Sequence, residues 1–369
     1  MKKLLYLFLA ITVACSNDDS SDNNPPANCD VVYLDANGVT IKACPDAQVG
    51  ESGVVNGVTY TIVDETTLRQ MVENDEDVTG VCTSRVTNTV ELFYNGADSN
   101  NTVIDNEFNQ DISHWDMSNV TDARAMFIAC ILFNQPIGDW DVSNVTTMNT
   151  MFVAARSFNQ DIGDWDVSNV TDMRGAFASA ESFNQDISSW DVSAVTDMRG
   201  MFQSTLAFNQ PIGTWDVSNV TDFSTMFSGS AFNQNIDSWD VSSAILMFNM
   251  FADAPDFNQN IQNWDVSSVT NMYEMFHQTG SFNQPLNSWD VSSVENMSGM
   301  FFLADSFNQD LSNWNVSNVT DMGGMFARTG NFNQDLSAWD VSNVINCNNF
   351  DLESPQWTLP KPNFTNCTP

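Results

Sequence analysis

Basic residues are scarce in this chain: 11 Lys and Arg stand against 47 Asp and Glu in 369 residues, a formal charge of −36. Such a deficit repels phosphate backbones and anionic headgroups, which excludes nucleic acid and an acidic lipid surface as partners. It favours cations and basic partners. Histidine is scarcer still: His114 and His277 are the only two, and neither stands near a unique Asp–Ser pair. The chain carries no nucleophile elbow, zincin helix, P-loop or dinucleotide fingerprint. It also lacks CxxC and Cys/His groupings that would set out zinc ligands. Its carboxylates come as repeated copies, with no single acid/base pair set apart. These absences point to a non-enzymatic chain with no cofactor and no resident metal.

Long apolar runs are missing too. Leu4–Ala14 falls short of the ~20 residues that a membrane-spanning helix needs. With Lys2 and Lys3 ahead of it, residues 1–14 read as a secretory signal peptide. Thr12-Val13-Ala14-Cys15 resembles a bacterial lipobox, which makes Cys15 the lipidated first residue of the mature chain. Residues 15–28 are then a flexible tether of Ser, Asn, Asp and Pro. The expected location is the outer membrane or cell surface, with the chain held by the lipid on Cys15; secretion after ordinary cleavage is the alternative. Export permits disulfides. Cys29 with Cys44 and Cys347 with Cys367 are the expected pairs, while Cys82 and Cys130 fall at different phases of the repeat described next.

What the chain has in abundance is one motif. FNQ recurs ten times, from Phe108 to Phe332, at steps of 25 residues except for a step of 24 between Phe208 and Phe232. A period in this range marks a solenoid. In Ile187-x-x-Trp190-x-Val192-x-x-Val195-x-x-Met198-x-x-Met201-Phe202, the first part alternates as a strand does, with Trp190 and Val192 inward and Asp191 and Ser193 outward. Val195, Met198, Met201 and Phe202 then follow helical spacing, with Thr196-Asp197 as its N-cap. The expected fold is an α/β repeat solenoid, leucine-rich-repeat-like, of about ten rungs each with one short parallel strand and one short helix. Trp, Phe and the Met-Phe pairs fill its core, and the FNQ asparagines form an amide ladder that satisfies buried turn backbone.

The expected divisions are an N-terminal cap over 29–104, repeats over 105–350 and a C-terminal cap over 351–369. In the N-terminal cap, β-prone runs around Asn37-Gly38 and Asn56-Gly57 predict hairpins, and 64–74 predicts a helix capped by Asp64 or Thr66. Val86–Phe93 reads as a degenerate first rung.

The string FNQDIxxWDVSNVTDMxxMF resembles the repeat of the BspA-like leucine-rich-repeat surface proteins of bacteria, over roughly residues 86–350. Tyr33-Leu34-Asp35 through Lys42, and Pro360–Phe364, look like cap segments seen with that family. The resemblance implies a surface-displayed binding or adhesion protein and no chemistry.

The candidate binding feature is the outward residue after each Trp: Asp116, Asp141, Asp166, Asp191, Asp216, Asp240, Asp265, Asp290, Asn315 and Asp340. Stacked as neighbours, these carboxylates form an acidic rail, answered either by hydrogen bonds to a neighbouring rung's backbone or Ser or by a cation or basic partner. One Asp per rung is thin for calcium, which takes six to eight oxygens. The expected function is a monomeric adhesion solenoid that recognises an extracellular protein or glycan through this face. A spacer in the surface layer is the alternative, and a polysaccharide-acting enzyme ranks below both. A break near 228–250, where Ile245-Leu246 replace Thr-Asp, reads first as neutral drift at one rung, with an interaction patch or a slight bend as the alternative.

Overall fold

A computed structural model describes residues 25–26, 29–97, 99 and 103–369. The expected signal peptide, Cys15 and the tether other than Pro25 and Pro26 lie outside the described residues. Among those described, no helix is long and apolar enough to cross a membrane.

Among the described residues, the N-terminal part holds all the named strands. Strands β1 (Val32–Leu34) and β2 (Ile41–Ala43) pair antiparallel, with Leu34 opposite Ile41. Strands β3 (Ser52–Val55) and β4 (Val58–Asp64) form a second hairpin, closed by Asn56 and Gly57 at φ 50° and 85°. Two successive positive φ values are what a tight two-residue hairpin requires, and Asn-Gly supplies them at least cost. Helix α1 (Glu65–Glu73) follows, its Asp64 cap accepting from the Thr67 amide. Strand β5 (Val81–Arg85) then runs parallel to β4.

From Asn88 onward the chain is a stack, but not the α/β solenoid expected from the sequence. Among the described residues α1 is the one helix, and the named strands all lie before residue 86. Each rung is a chain of turns. Single parallel bridges join the rungs in a column through Asn88, Asp122, Thr147 and Asp172 and on to Asn346. The apolar 3-and-4 spacing that resembles a helix comes from turn closure: Met151 N–H bonds Met148 O, and Ala155 N–H bonds Phe152 O. Between them, Thr150 N–H and Phe152 N–H reach forward to Arg174 O and Ala176 O of the next rung. A helix would spend those donors on its own carbonyls four residues back.

Backbone sign enforces the difference. Ten pairs of residues four apart have positive φ, among them Thr150 with Ala154, Gly175 with Ser179 and Gly200 with Ser204. No right-handed helix passes through such positions. The strand expected around Trp190-Asp191-Val192 is absent for a related reason: Trp190 N–H and Val195 N–H close turns on Ile187 O and Val192 O. Trp190 and Val192 still point inward, placed there by turns.

The core runs the length of the stack. Trp190, Val192, Val195, Met198, Met201, Phe202 and Phe208 are all at most 4% exposed. Phe rings stack near-parallel along it, for example Phe177–Phe202 at 5.9 Å and Phe202–Phe208 at 4.0 Å. Each buried indole also finds an acceptor one rung back, as in Trp190 Nε1 to Ile162 O at 3.0 Å. Burying the large rings therefore leaves no indole N–H orphaned.

Both ends are closed differently. At the start, β5 stands in for a preceding rung: Trp115 Nε1 donates to Val78 O, and Thr83 exchanges hydrogen bonds with the Asp116 backbone. At the other end Trp357 lies edge-on to Phe326 and Phe332, at interplanar angles of 74° and 87°. A perpendicular ring ends a parallel stack, and its Nε1 donates to Gln334 O. Disulfides join Cys29 to Cys44 and Cys347 to Cys367, one in each end region. Cys82 and Cys130 are free and buried, and burial pushes the Cys130 thiol far above its ordinary range.

Candidate functional site

The rail is present, with its members in three different situations. Asp116 is only 2% exposed, because the N-terminal cap covers it and Ser84 Oγ donates to its Oδ2 at 2.5 Å. Asp141, Asp166, Asp191, Asp216, Asp240, Asp265, Asp290 and Asp340 are exposed. Asn315 occupies the remaining rung and is exposed as well.

The serine two residues on answers each rail carboxylate within its own rung. Ser193 donates to Asp191 Oδ1 through its amide at 3.0 Å and its hydroxyl at 2.6 Å. The same double bond recurs at Asp141, Asp166, Asp216 and Asp240. Asp265, Asp290 and Asp340 receive the amide alone. Hydrogen bonds from the serine hydroxyl and then the amide hold Asp191 and Asp240 below the usual carboxylate value. In the exposed rail, Oδ2 takes no hydrogen bond and no Lys or Arg forms an ion pair, among the described residues. Each rung thus fixes one carboxylate oxygen and leaves the other to solvent. Among the described residues no group of three or more His, Cys, Asp or Glu is placed to hold a metal ion.

Beside the rail the side-chain ladders run between rungs. Asn144 Nδ2 donates to Ser118 O and Asn169 Nδ2 to Ser143 O. The FNQ ladder works the same way: Asn159 Oδ1 accepts from the Asn184 amide and from Gln185 Nε2, both at 2.9 Å. These asparagines are largely exposed, so the ladder ties turn backbone at the surface and not in a buried layer. The 24-residue step weakens one link. Gln234 Nε2 keeps its bond to Asn209 Oδ1, at 3.2 Å, without the second bond to the carbonyl that other rungs make.

A second, partly acidic column lies on the bridges, six residues past the rail, with its aspartates at Asp122, Asp172, Asp197, Asp222 and Asp321. Asp172 is clamped by Arg174 at 2.9 Å, and Arg174 also lies 3.4 Å from Asp197. Burial pushes Asp197 above the ordinary carboxylate value, with Asp222 adding to the effect. At 245–246 the expected helix cap has nothing to cap. Leu246 takes the bridge position and Ile245 is 42% exposed.

Sequence reasoning overlooked the face built by the residues between the two methionines and just after Phe, here called the turn face. Two places past the bridge column its residues change from rung to rung, with Arg174, Arg199, Ser224, Phe248 and Tyr273 in succession. The signal was in the repeat itself, in the positions written as x.

Fold and site together define a class: a repeat protein whose rungs are strings of turns, stacked on an aromatic core between two caps. The profile of one family, DUF285, described as "Mycoplasma protein of unknown function", matches residues 65–187, 99–210, 154–263 and 247–356. The chain belongs to that family. No curated protein matches it, and no solved structure does.

Proposed function

We propose that the chain is a non-enzymatic binding protein, carried as a monomer on a cell surface by a lipid on Cys15, which captures a basic protein or cationic glycan on its acidic rail. The carrying observation is the exposed row of carboxylates whose Oδ2 atoms are unpaired, on a protein of net charge −36. A partner that brings cations to many equal sites gains from their number. The likeness of the repeat to BspA-like surface proteins supports the same reading. The in-rung pairing of Asp191 with Ser193 favours a second reading, a spacer whose aspartates serve only their turns.

The array supplies its own control for separating them. Asn315 accepts from both the amide and the hydroxyl of Ser317, as an aspartate would. Asp166→Asn, Asp191→Asn and Asp216→Asn together therefore remove charge and keep the turns. Capture of polylysine-coated beads, with thermal unfolding as the fold check, is expected to drop in the triple variant while the unfolding midpoint falls only slightly. Capture that is unchanged sinks the rail and leaves the spacer.

A further inference from the structure

The turn face has one stretch unlike the rest. Over most rungs its outward positions hold small, polar or basic side chains. Phe248 adds a ring that the Arg199 guanidinium covers, 5.4 Å from its centroid, and near residues 273–303 rings cluster. Tyr273 is 36% exposed, and the His277 ring lies flat on Phe302, with centroids 4.9 Å apart and planes at 7°. The next rung has only Ala327 where Phe302 stands, so no further ring covers that stack.

Beyond the rings the surface steps down. The following turn positions are Gly299, Gly323 and Gly324, and they floor a groove of about 380 Å³. The floor at Gly324 is open, since a Cβ added there meets nothing within 4 Å. At Gly299 a Cβ would come within 2.8 Å of Glu274 Cγ, so glycine there lets the Glu274 side chain lie down. Glu274 is fixed from two sides, by Tyr273 Oη at 2.6 Å and Asn249 Nδ2 at 3.1 Å. Asn348 and Asn349 form the far wall, and their exposed side-chain amides have no hydrogen-bond partner among the described residues. His277 Nδ1, also at the groove, is buried without a partner.

We infer that this groove is a binding site for an uncharged glycan. An aromatic wall offers flat faces to the C–H side of a sugar ring. Two free amides opposite, each with donor and acceptor, suit its hydroxyls. A greasy peptide segment would leave those amides unsatisfied, which is costly once water is excluded. The net charge of −36 opposes sulfated or uronic-acid glycans, leaving neutral sugars as the ligand class. The inference rests on the reading of the chain as a binding protein, but the groove and the rail use different residues.

The test is an array of uncharged gluco-, manno-, galacto- and xylo-oligosaccharides probed with the full chain. The chain is expected to be retained on at least one of these. Tyr273→Ala and Phe302→Ala should each weaken retention about tenfold, and Tyr273→Phe, which keeps the ring but loses its tie to Glu274, should fall in between. Gly324→Asn fills the floor at a position where Asn249 and Asn349 show that asparagine adopts the same positive φ, and it should also reduce binding. The rail triple variant should bind sugars as the parent does. No retention by a chain that unfolds normally, or retention indifferent to Tyr273→Ala and Phe302→Ala, overturns the site. Polylysine capture that persists in those cases leaves the rail proposal standing, so the two failures are separable.

Discussion

After each core Trp the rail carries Asp in nine rungs of ten, whereas the turn face shows Arg124, Asn149, Arg174, Arg199, Ser224, Phe248, Tyr273, Ser298, Gly323 and Asn348 at its matching position. The same rungs build both faces. A side chain repeated at every rung answers a need that every rung shares, and for the rail that need is visible: the amide of the following serine wants an acceptor. A position free to change between rungs has no such duty to the backbone. The contrast separates residues that make the stack from residues that can give one part of it a specificity of its own.

The strongest way to break the comparison is to remove what both faces hang on. Phe202 is fully buried and stacks on Phe177, Phe208 and Phe227. Phe202→Ala should cost about 3–5 kcal/mol. Rungs touch mainly their neighbours, so the damage should uncouple the stack on either side of it. Urea denaturation followed by tryptophan fluorescence is expected to change from one transition to two. A single transition merely shifted would mean that the stack is more cooperative than its nearest-neighbour contacts imply.

A gentler test sharpens the contrast inside one rung. Asp191 on the rail is held below the ordinary carboxylate value by Ser193, while burial holds Asp197 on the bridge column above it. The signs are opposite. The Asp191 contribution is present above the unfolded value and is lost as pH falls through the lower folded value. Asp197 takes up its proton more readily when folded, so it weakens the fold at neutral pH, and that penalty fades as pH falls through its raised value. Asp197→Asn is expected to stabilise near neutrality, by less on acidification, whereas Asp191→Asn slightly destabilises near neutrality. Both effects should be about 0.5 kcal/mol or less, since Asp191 is exposed and Asp197 only part-buried, so solvent screens both. Urea midpoints between about pH 3 and pH 7 cover the window. Two variants moving in the same direction would contradict the division of labour drawn here.

Much of the molecule could be read from its sequence, and what could not be read has a definite cause. Asn37-Gly38, Asn56-Gly57 and Asp64 announced two hairpins and a helix cap because local backbone chemistry decides those features. The inward set from Trp190 to Phe208 was legible because period and apolarity are independent of the local conformation. The helix was not there to be read: turns closed at i+3 and a helical face place apolar side chains alike. The deciding clue was glycine. Gly175, Gly200, Gly299 and Gly324 interrupt the supposed helix at one phase, where glycine costs up to about 1 kcal/mol in a real helix. The rail drew attention by its regularity, and the groove went unnoticed because its residues occupy positions that the repeat leaves blank.

A titration bears most directly on those blanks. The Tyr273 hydroxyl donates to Glu274, so ionising it sets two negative charges together and forfeits a hydrogen bond. That pair, with burial adding to it, pushes the phenol up from its ordinary value near 10 to about 12. Tyr273 should therefore stay neutral in a spectrophotometric titration after an ordinary tyrosine has ionised. Glu274→Gln removes the neighbouring charge and should bring the transition back toward 10. Tyr273→Phe removes it from the curve, which identifies the transition among the 5 tyrosines. If Glu274→Gln leaves the transition where it was, the clamp does not exist in solution and Tyr273 is free to swing. The ring would then be a mobile side chain on the turn face, and the groove would lose the fixed wall on which its recognition of a flat ligand depends.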